Sequence, residues 1–148
     1  MRRPTLTPPG WFFTGLVAMV ALHVAAPGPR WLAPPWTLLG LLPIAAGAAL
    51  HAWALSVFAH TGTTADPEGR PARLVRAGPY ARSRNPMYLA GVPILVGLAL
   101  LLGTTSPLLV IVLYAAGAAR WVAREETRLR ARFGGDWAAY RGTVRRWL

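Results

Sequence analysis

An all-α, polytopic membrane protein with four transmembrane helices is the fold class this sequence predicts, and three observations predict it. Apolar residues fill 54% of the 148 positions and charged residues only 14%, with a mean hydropathy of +0.37, whereas a soluble domain carries about 25% charged residues. The apolar positions are contiguous, since residues 31–65 and 85–119 contain no charged side chain. The sixteen basic residues are all arginine, and a four-span thread puts fifteen of them on one side and Arg30 alone on the other. Arginine bias of this kind marks the cytoplasmic side, so both termini and the middle loop are expected there, in the inner or plasma membrane of a prokaryote.

The elements follow in order. Trp11 to Ala26 is a short apolar block behind Met1-Arg2-Arg3; a signal peptide opens in the same way, but the hydrophobic blocks behind it favour an uncleaved first helix. The second block, about Trp36 to His60, opens on Pro34 and Pro35, where proline is tolerated, and Pro43 is expected to kink it. The third block, Asn85 to Ala119, has 35 residues and as one helix would run about 52 Å, against a core of about 30 Å. Gly103-Thr104-Thr105-Ser106-Pro107 is a turn signal in its middle, which predicts a tight hairpin of Pro86 to Leu102 and Pro107 to Val122. Beyond Val122, apolar and aromatic residues recur at helical spacing (Leu129, Phe133, Trp137, Tyr140, Val144, Trp147), interrupted by Gly134-Gly135. A helix leaving the membrane, a break and a short amphipathic helix at the cytoplasmic interface are expected. The chain reads as a single membrane domain over 1–148, with two N-terminal helices in about 1–60 and a core in 61–148.

Composition narrows the chemistry. A formal charge of +11 fits anionic headgroups and topology better than nucleic acid, because the arginines flank apolar blocks. Without cysteine there is no disulfide, thiolate nucleophile or Cys-ligated metal. His23, His51 and His60 lie nine or more residues apart without neighbouring carboxylates, so no metal site is expected and packing is their default role. The seven tryptophans fit an aromatic belt.

Polar information concentrates in two strings that the topology brings to one membrane face, Thr61 to Tyr88 and Arg120 to Arg146. Asn85-Pro86 is a sound helix start, with Asn85 as N-cap. Arg120, Arg124 and Arg128 share a helical face, and Glu125 and Glu126 are placed to pair with Arg128, Arg130 and Arg132. Their closeness to the bilayer boundary favours a site instead.

In order and spacing the two strings carry Leu74-Val75, Gly78-Pro79-Tyr80, Arg84-Asn85-Pro86-Met87-Tyr88, then after the hairpin Glu125-Glu126, Phe133-Gly134, Trp137 and Tyr140. The series resembles the isoprenylcysteine carboxyl methyltransferase and phospholipid methyltransferase family of integral membrane enzymes across residues 61–148; the first two helices carry no such signature. The resemblance implies S-adenosylmethionine (SAM) as methyl donor, with Ala72, Arg73, Leu74, Val75, Tyr80, Asn85, Pro86, Met87, Tyr88 and Glu125 as its contacts. Asn85 departs from the histidine usual in the prenylcysteine enzymes, which weakens an inference of prenylcysteine specificity more than one of cofactor binding. The acceptor is expected to be a membrane lipid or other hydrophobic carboxylate or amine. Arg120 or Arg124 would hold an anionic acceptor, and Glu126 would serve as base for an amine.

Two other classes compete. A four-helix transporter suits the length, but coupled carriers need an acidic residue within the membrane, and none occurs before Asp66 or between 85 and 119. A nicotinamide-dependent sterol-type reductase shares the C-terminal Tyr and Trp pattern but requires more helices than this chain has. The acceptor, the atom methylated and the oligomeric state stay open.

Overall fold

A computed structural model describes residues 8–62 and 73–148. Four α-helices form there: α1 (Pro8–Ala25), α2 (Leu41–Thr61), α3 (Pro86–Leu102) and α4 (Leu108–Thr143), with short 3-10 turns at Trp36–Gly40 and Gly78–Ala81. Among the described residues there is no strand, only two isolated bridges, Arg30 with Thr104 and Ser83 with Arg145. The hairpin is where the turn signal put it. Gly103 takes φ 66°, a conformation open to glycine at little cost, and its amide caps α3 on the Ala99 carbonyl.

Two expectations about helix shape change. The 3-10 turn at Trp36–Gly40 delays the start of α2 to Leu41, so Pro43 falls in the first helical turn, where its missing N–H costs no bond, and not in the interior. The interior proline is Pro93 of α3. At the other end, Gly134 breaks α4 with φ 48° and ψ −114°, as Gly134-Gly135 predicted, but the segment beyond it packs on the protein. Trp137 and Tyr140 are buried, under Arg84 and Arg76 respectively.

Three helices share the main core. Met19 of α1, Leu95 and Ala99 of α3, and Val110, Tyr114 and Ala118 of α4 are buried together. The α2 helix joins through α3 along an antiparallel seam of small residues. A Cβ at Gly40 would collide with the Gly97 carbonyl oxygen, and one at Gly97 with that of Gly40; one at Gly47 would lie 2.6 Å from the Ala90 carbonyl oxygen. Glycine at these positions lets the backbones approach as far as they do. At the far end the hairpin turn is pinned by the loop after α1: the Trp31 amide donates to the Gly103 carbonyl at 3.0 Å, the Trp31 indole to the Thr104 carbonyl at 3.0 Å, and His23 Nδ1 lies 2.9 Å from Thr104 Oγ1.

Among the described residues one segment, Trp36–Thr61 with mean hydropathy 1.8, is long and apolar enough to cross a bilayer; Pro9–Ala25 and Pro86–Leu102 are apolar but shorter. At about 1.5 Å per residue the 17 residues of α3 reach about 26 Å. Large apolar side chains line the outside, including Val17, Val24, Leu42, Leu109 and Val112.

Candidate active site

The hairpin and the loop before it converge on a cavity of about 590 Å³, within the roughly 300–1,000 Å³ usual for small-molecule sites. Its polar end is built from Tyr80, Arg84, Asn85, Tyr88 and Glu125. Its apolar walls come from Pro9, Phe12 and Phe13 of α1, from Ala48, Ala52, Leu55 and Phe58 of α2, and from Ile94 of α3, with His51 among the α2 residues. Each polar group is set by the fold below it. Tyr80 sits in the Gly78–Ala81 turn, buried beside Ala54 and Val75, and its carbonyl accepts the Tyr140 hydroxyl at 2.7 Å. Pro86 starts α3 as expected, which puts Tyr88 within its first turn.

Glu125 and Glu126 part company here. Successive helical residues are about 100° apart, and the two carboxyls accordingly meet different partners. Glu125 turns to the cavity and accepts the Tyr88 hydroxyl at 3.1 Å. Burial pushes its pKa above the ordinary carboxyl value and Glu126 adds to this, against the Tyr88 hydrogen bond and Arg128. Glu126 is buried in a clasp. Its Oε1 accepts Arg84 Nε at 3.1 Å and Nη2 at 2.8 Å, and its Oε2 accepts Arg146 Nη2 at 2.6 Å. Burial alone would raise its pKa, but the hydrogen bonds and charges of Arg146 and Arg84 outweigh it and hold the carboxyl below its ordinary value. The same contact raises the Arg146 pKa. Burial also pushes Tyr140 up to about 12, against the pull of Arg84 and Arg76.

Arg84 is the centre of this clasp. Besides Glu126, its Nη1 donates to the carbonyls of Arg141 at 3.1 Å and Val144 at 2.8 Å, and its guanidinium lies over the Trp137 ring. The Arg84 amide donates to the Arg145 carbonyl at 3.0 Å, and the Asn85 side-chain amide to the Arg146 carbonyl at 3.0 Å. Asn85 therefore occupies the N-cap position of α3 without a side-chain capping bond; its amide fastens the tail to the cavity wall instead.

Of the residues singled out from the sequence, the structure gathers Tyr80, Asn85, Pro86, Met87, Tyr88 and Glu125 around one cavity. Val75 supports it from behind, buried against Tyr80, while Leu74 is half-buried and Arg73 exposed. Ala72 lies outside the described residues. Arg120 and Arg124 are exposed and do not line the cavity, Arg124 lying over the Trp121 ring. The geometry lends no support of its own to their expected hold on an acceptor, since they lie off the cavity lining, or to the expected use of Glu126 as a base, since it accepts from Arg84 and Arg146. The helical face shared by Arg120 and Arg124 signalled an exposed stripe as well as it signalled a site.

Sequence reasoning missed Arg146 and the structural part of Arg84. Arg84 stood in the motif, but nothing in a linear pattern says that an arginine will reach a carboxylate 42 residues on and a tail beyond it. His51, read as a packing residue, lines the cavity.

The described helices thus form an apolar bundle that carries, at one end, a loop, a buried ionic clasp and a cavity part polar and part apolar. The chain belongs to the phospholipid methyltransferase family, whose model matches residues 36–136, and membership makes it a membrane methyltransferase. The matched region includes α2, which carried no signature on its own, and ends at the break in α4, before Trp137 and the tail. No curated protein and no solved structure matches the chain.

Proposed function

We infer that this protein is a SAM-dependent methyltransferase of the membrane that methylates a lipid-like or hydrophobic acceptor. The observation that carries this reading is the convergence of Tyr80, Asn85 to Tyr88 and Glu125, distant in sequence, on one cavity of cofactor size. The residues fit a sulfonium donor bearing an amino group. Among the described residues Glu125 supplies the one carboxyl of the cavity lining, oriented by Tyr88, and a cation beside it would offset the burial that raises its pKa. A bound donor supplies an already activated methyl group, so the protein's task is placement and exclusion of water. Tyr80 and Asn85 form the floor, held by Tyr140 and the tail carbonyls, and the apolar walls from α1 and α2 suit the acceptor's hydrocarbon.

The membrane arrangement belongs to the same reading: four crossings, with both termini and the cavity mouth at the cytoplasmic face. The arginine distribution, the exposed apolar side chains of α1, α2 and α4, and the segment Trp36–Thr61 support it. Tilting or local thinning of the bilayer accommodates short helices at modest cost.

The test is direct. Purified protein in detergent should bind SAM and its demethylated product in the micromolar range by calorimetry and should not bind NADPH. Incubation with label-bearing SAM and total membrane lipid should then yield a labelled lipid whose identity names the acceptor. Binding of NADPH alone would overturn the methyltransferase reading in favour of a reductase.

A further inference from the structure

A second hollow lies outside the cavity, on α4 itself. Arg130, Gly134, Trp137, Ala138, Arg141 and Gly142 line a cleft of about 350 Å³. They recur at the spacing of one helical face and lie on both sides of the break at Gly134, where φ is 48° and ψ −114°. A straight helix presents a convex face, so the hollow exists because the helix breaks there. Arg130 comes from the half before the break and Arg141 from the half after it.

Two guanidiniums brought to one cleft repel each other, and an anion between them reverses the sign of the interaction. The three acids of α4 are engaged elsewhere: Glu125 with Tyr88, Glu126 with Arg84 and Arg146, and Asp136 with Arg76 at 3.4 Å. A guanidinium offers its N–H groups to phosphate oxygens as a planar fork, so one from each side suits a phosphate group. Position selects its source. The half after the break turns back to the bundle, where Arg84, next to the start of α3, donates to the Arg141 carbonyl at 3.1 Å, and Trp147 packs against the main core. Arg141 therefore lies at the level where the apolar helix α3 begins, which in a membrane protein is the depth of lipid headgroups. Trp137, itself buried, and Ala138 give the cleft an apolar base.

We propose that this cleft binds the phosphate of an anionic phospholipid between Arg130 and Arg141, and that the bound headgroup fixes the bend of α4. The inference goes beyond the methyltransferase reading and does not rest on it, since it requires neither donor nor acceptor in the cavity. The cleft and the clasp share two residues: Arg84 lies over the Trp137 ring, 5.7 Å from its centre, and holds the Arg141 carbonyl. The bend itself falls at Gly134-Gly135, where the backbone is least restricted. A ligand gripped from both sides of that point restrains the half-helix that carries Trp137 and Tyr140, and with it the floor of the cavity.

The experiment is native mass spectrometry of full-length protein in uncharged detergent, titrated with short-chain phosphatidylglycerol, with phosphatidylcholine of the same chains, or with inorganic phosphate, at an ionic strength that screens diffuse attraction. Phosphatidylglycerol should bind at one site; phosphatidylcholine, whose ammonium cancels the charge, and inorganic phosphate, which brings no apolar part, should bind roughly 10-fold or more weakly. Arg130→Gln and Arg141→Gln should each cost roughly 10-fold in phosphatidylglycerol affinity, the scale of a charge-assisted hydrogen bond. Arg82→Gln, which removes an exposed arginine outside the cleft lining, should cost under about twofold. Because the chain has no cysteine, spin labels at Ala131→Cys and Ala139→Cys, both exposed, report the two halves of α4. Their distance distribution should narrow with phosphatidylglycerol and should not do so when Arg130→Gln is added. Equal binding of inorganic phosphate would make the cleft a site for a soluble anion. Equal binding of phosphatidylcholine, an equal loss in Arg82→Gln, or wild-type affinity in both cleft variants would leave only diffuse attraction. Tighter binding after Asp66→Asn with Glu68→Gln would show that acids of the chain itself occupy the cleft. Each of these overturns the proposal, as does a label distance that phosphatidylglycerol leaves unchanged, and the comparison of ligands on wild-type protein holds even where a variant fails to fold.

Discussion

Replacing Glu126 by glutamine tests whether the clasp holds the site together. The substitution keeps shape and removes charge, so it leaves the Arg84 guanidinium, 7% exposed at its side chain, facing a neutral amide. Breaking a buried ion pair by neutralising one partner costs about 3–5 kcal/mol. Arg84 keeps the Arg141 and Val144 carbonyls and the Trp137 face, which puts the loss near the lower bound, about 3 kcal/mol. At roughly 2–4 °C per kcal/mol for a chain of this size, the melting midpoint should fall by about 6–12 °C. Arg146, with its side chain 42% exposed, forms the weaker arm, and Arg146→Gln should cost under about 1 kcal/mol. Acid should imitate the severe variant. Because the folded-state pKa of Glu126 lies below its ordinary 4.5, its stabilisation is complete above that value and disappears as pH falls through the lowered one. Tryptophan fluorescence during thermal unfolding in detergent, at neutral and acidic pH, would measure all of this. Equal losses for Glu126→Gln and Arg146→Gln, or a Glu126→Gln midpoint within 2 °C of wild type, would refute the clasp as a buried, charge-dependent unit.

Three further outcomes are expected. Glu125→Gln should reduce SAM affinity by roughly 1.5–3 kcal/mol, the scale of a charge-assisted hydrogen bond, with little change in folding; Asn85→Ala should weaken binding too, with stability measured beside it because its amide docks the tail. Wild-type affinity in both, by calorimetry, would show that the donor site is misplaced. A Cβ at Gly91 would run into the Tyr114 hydroxyl, so Gly91→Ala should destabilise by about 1–3 kcal/mol, and Tyr114→Phe, which removes the obstructing oxygen, should recover part of that loss in a double variant. Reporter fusions at Arg30 and near Gly103 should report the side opposite the termini; a cytoplasmic signal at either would end the four-crossing arrangement.

Sequence legibility followed the range of the forces involved. The hairpin could be read because Gly103 and Pro107 act locally through φ and the missing N–H, and the α4 break because Gly134 does the same. Pro43 misled because a proline's effect depends on where its helix begins, and a 3-10 turn moved that point. The grouping of Tyr80, Asn85 to Tyr88 and Glu125 was visible only through the order of a whole motif series. The division of labour between Glu125 and Glu126 was not visible at all: neighbours of identical chemistry diverge once the fold brings Tyr88 to one and Arg84 with Arg146 to the other. The burial of Trp137 and Tyr140 beneath arginines was hidden for a related reason, since an aromatic stripe looks the same whether lipid or protein covers it.

The glycine seam between α2 and α3 has a mechanical side. Where a backbone carbonyl sits against a facing glycine, at Gly40 with Gly97 and again at Ala90 with Gly47, there is no side chain to bend, and sliding by one residue would drive a Cβ into backbone. The two helices are thus coupled as a stiff beam, and α4 is fastened to it through Tyr114 and Glu125. At the cavity, α1 is held by ring contacts, Phe12 edge-on to Tyr114 and Trp11 over Gly117, while its other end is tethered by the His23–Thr104 hydrogen bond. The walls of the cavity thus differ in what holds them: ring packing at the Pro9–Phe13 end of α1, and directional hydrogen bonds to Tyr140 and the tail carbonyl under the polar floor.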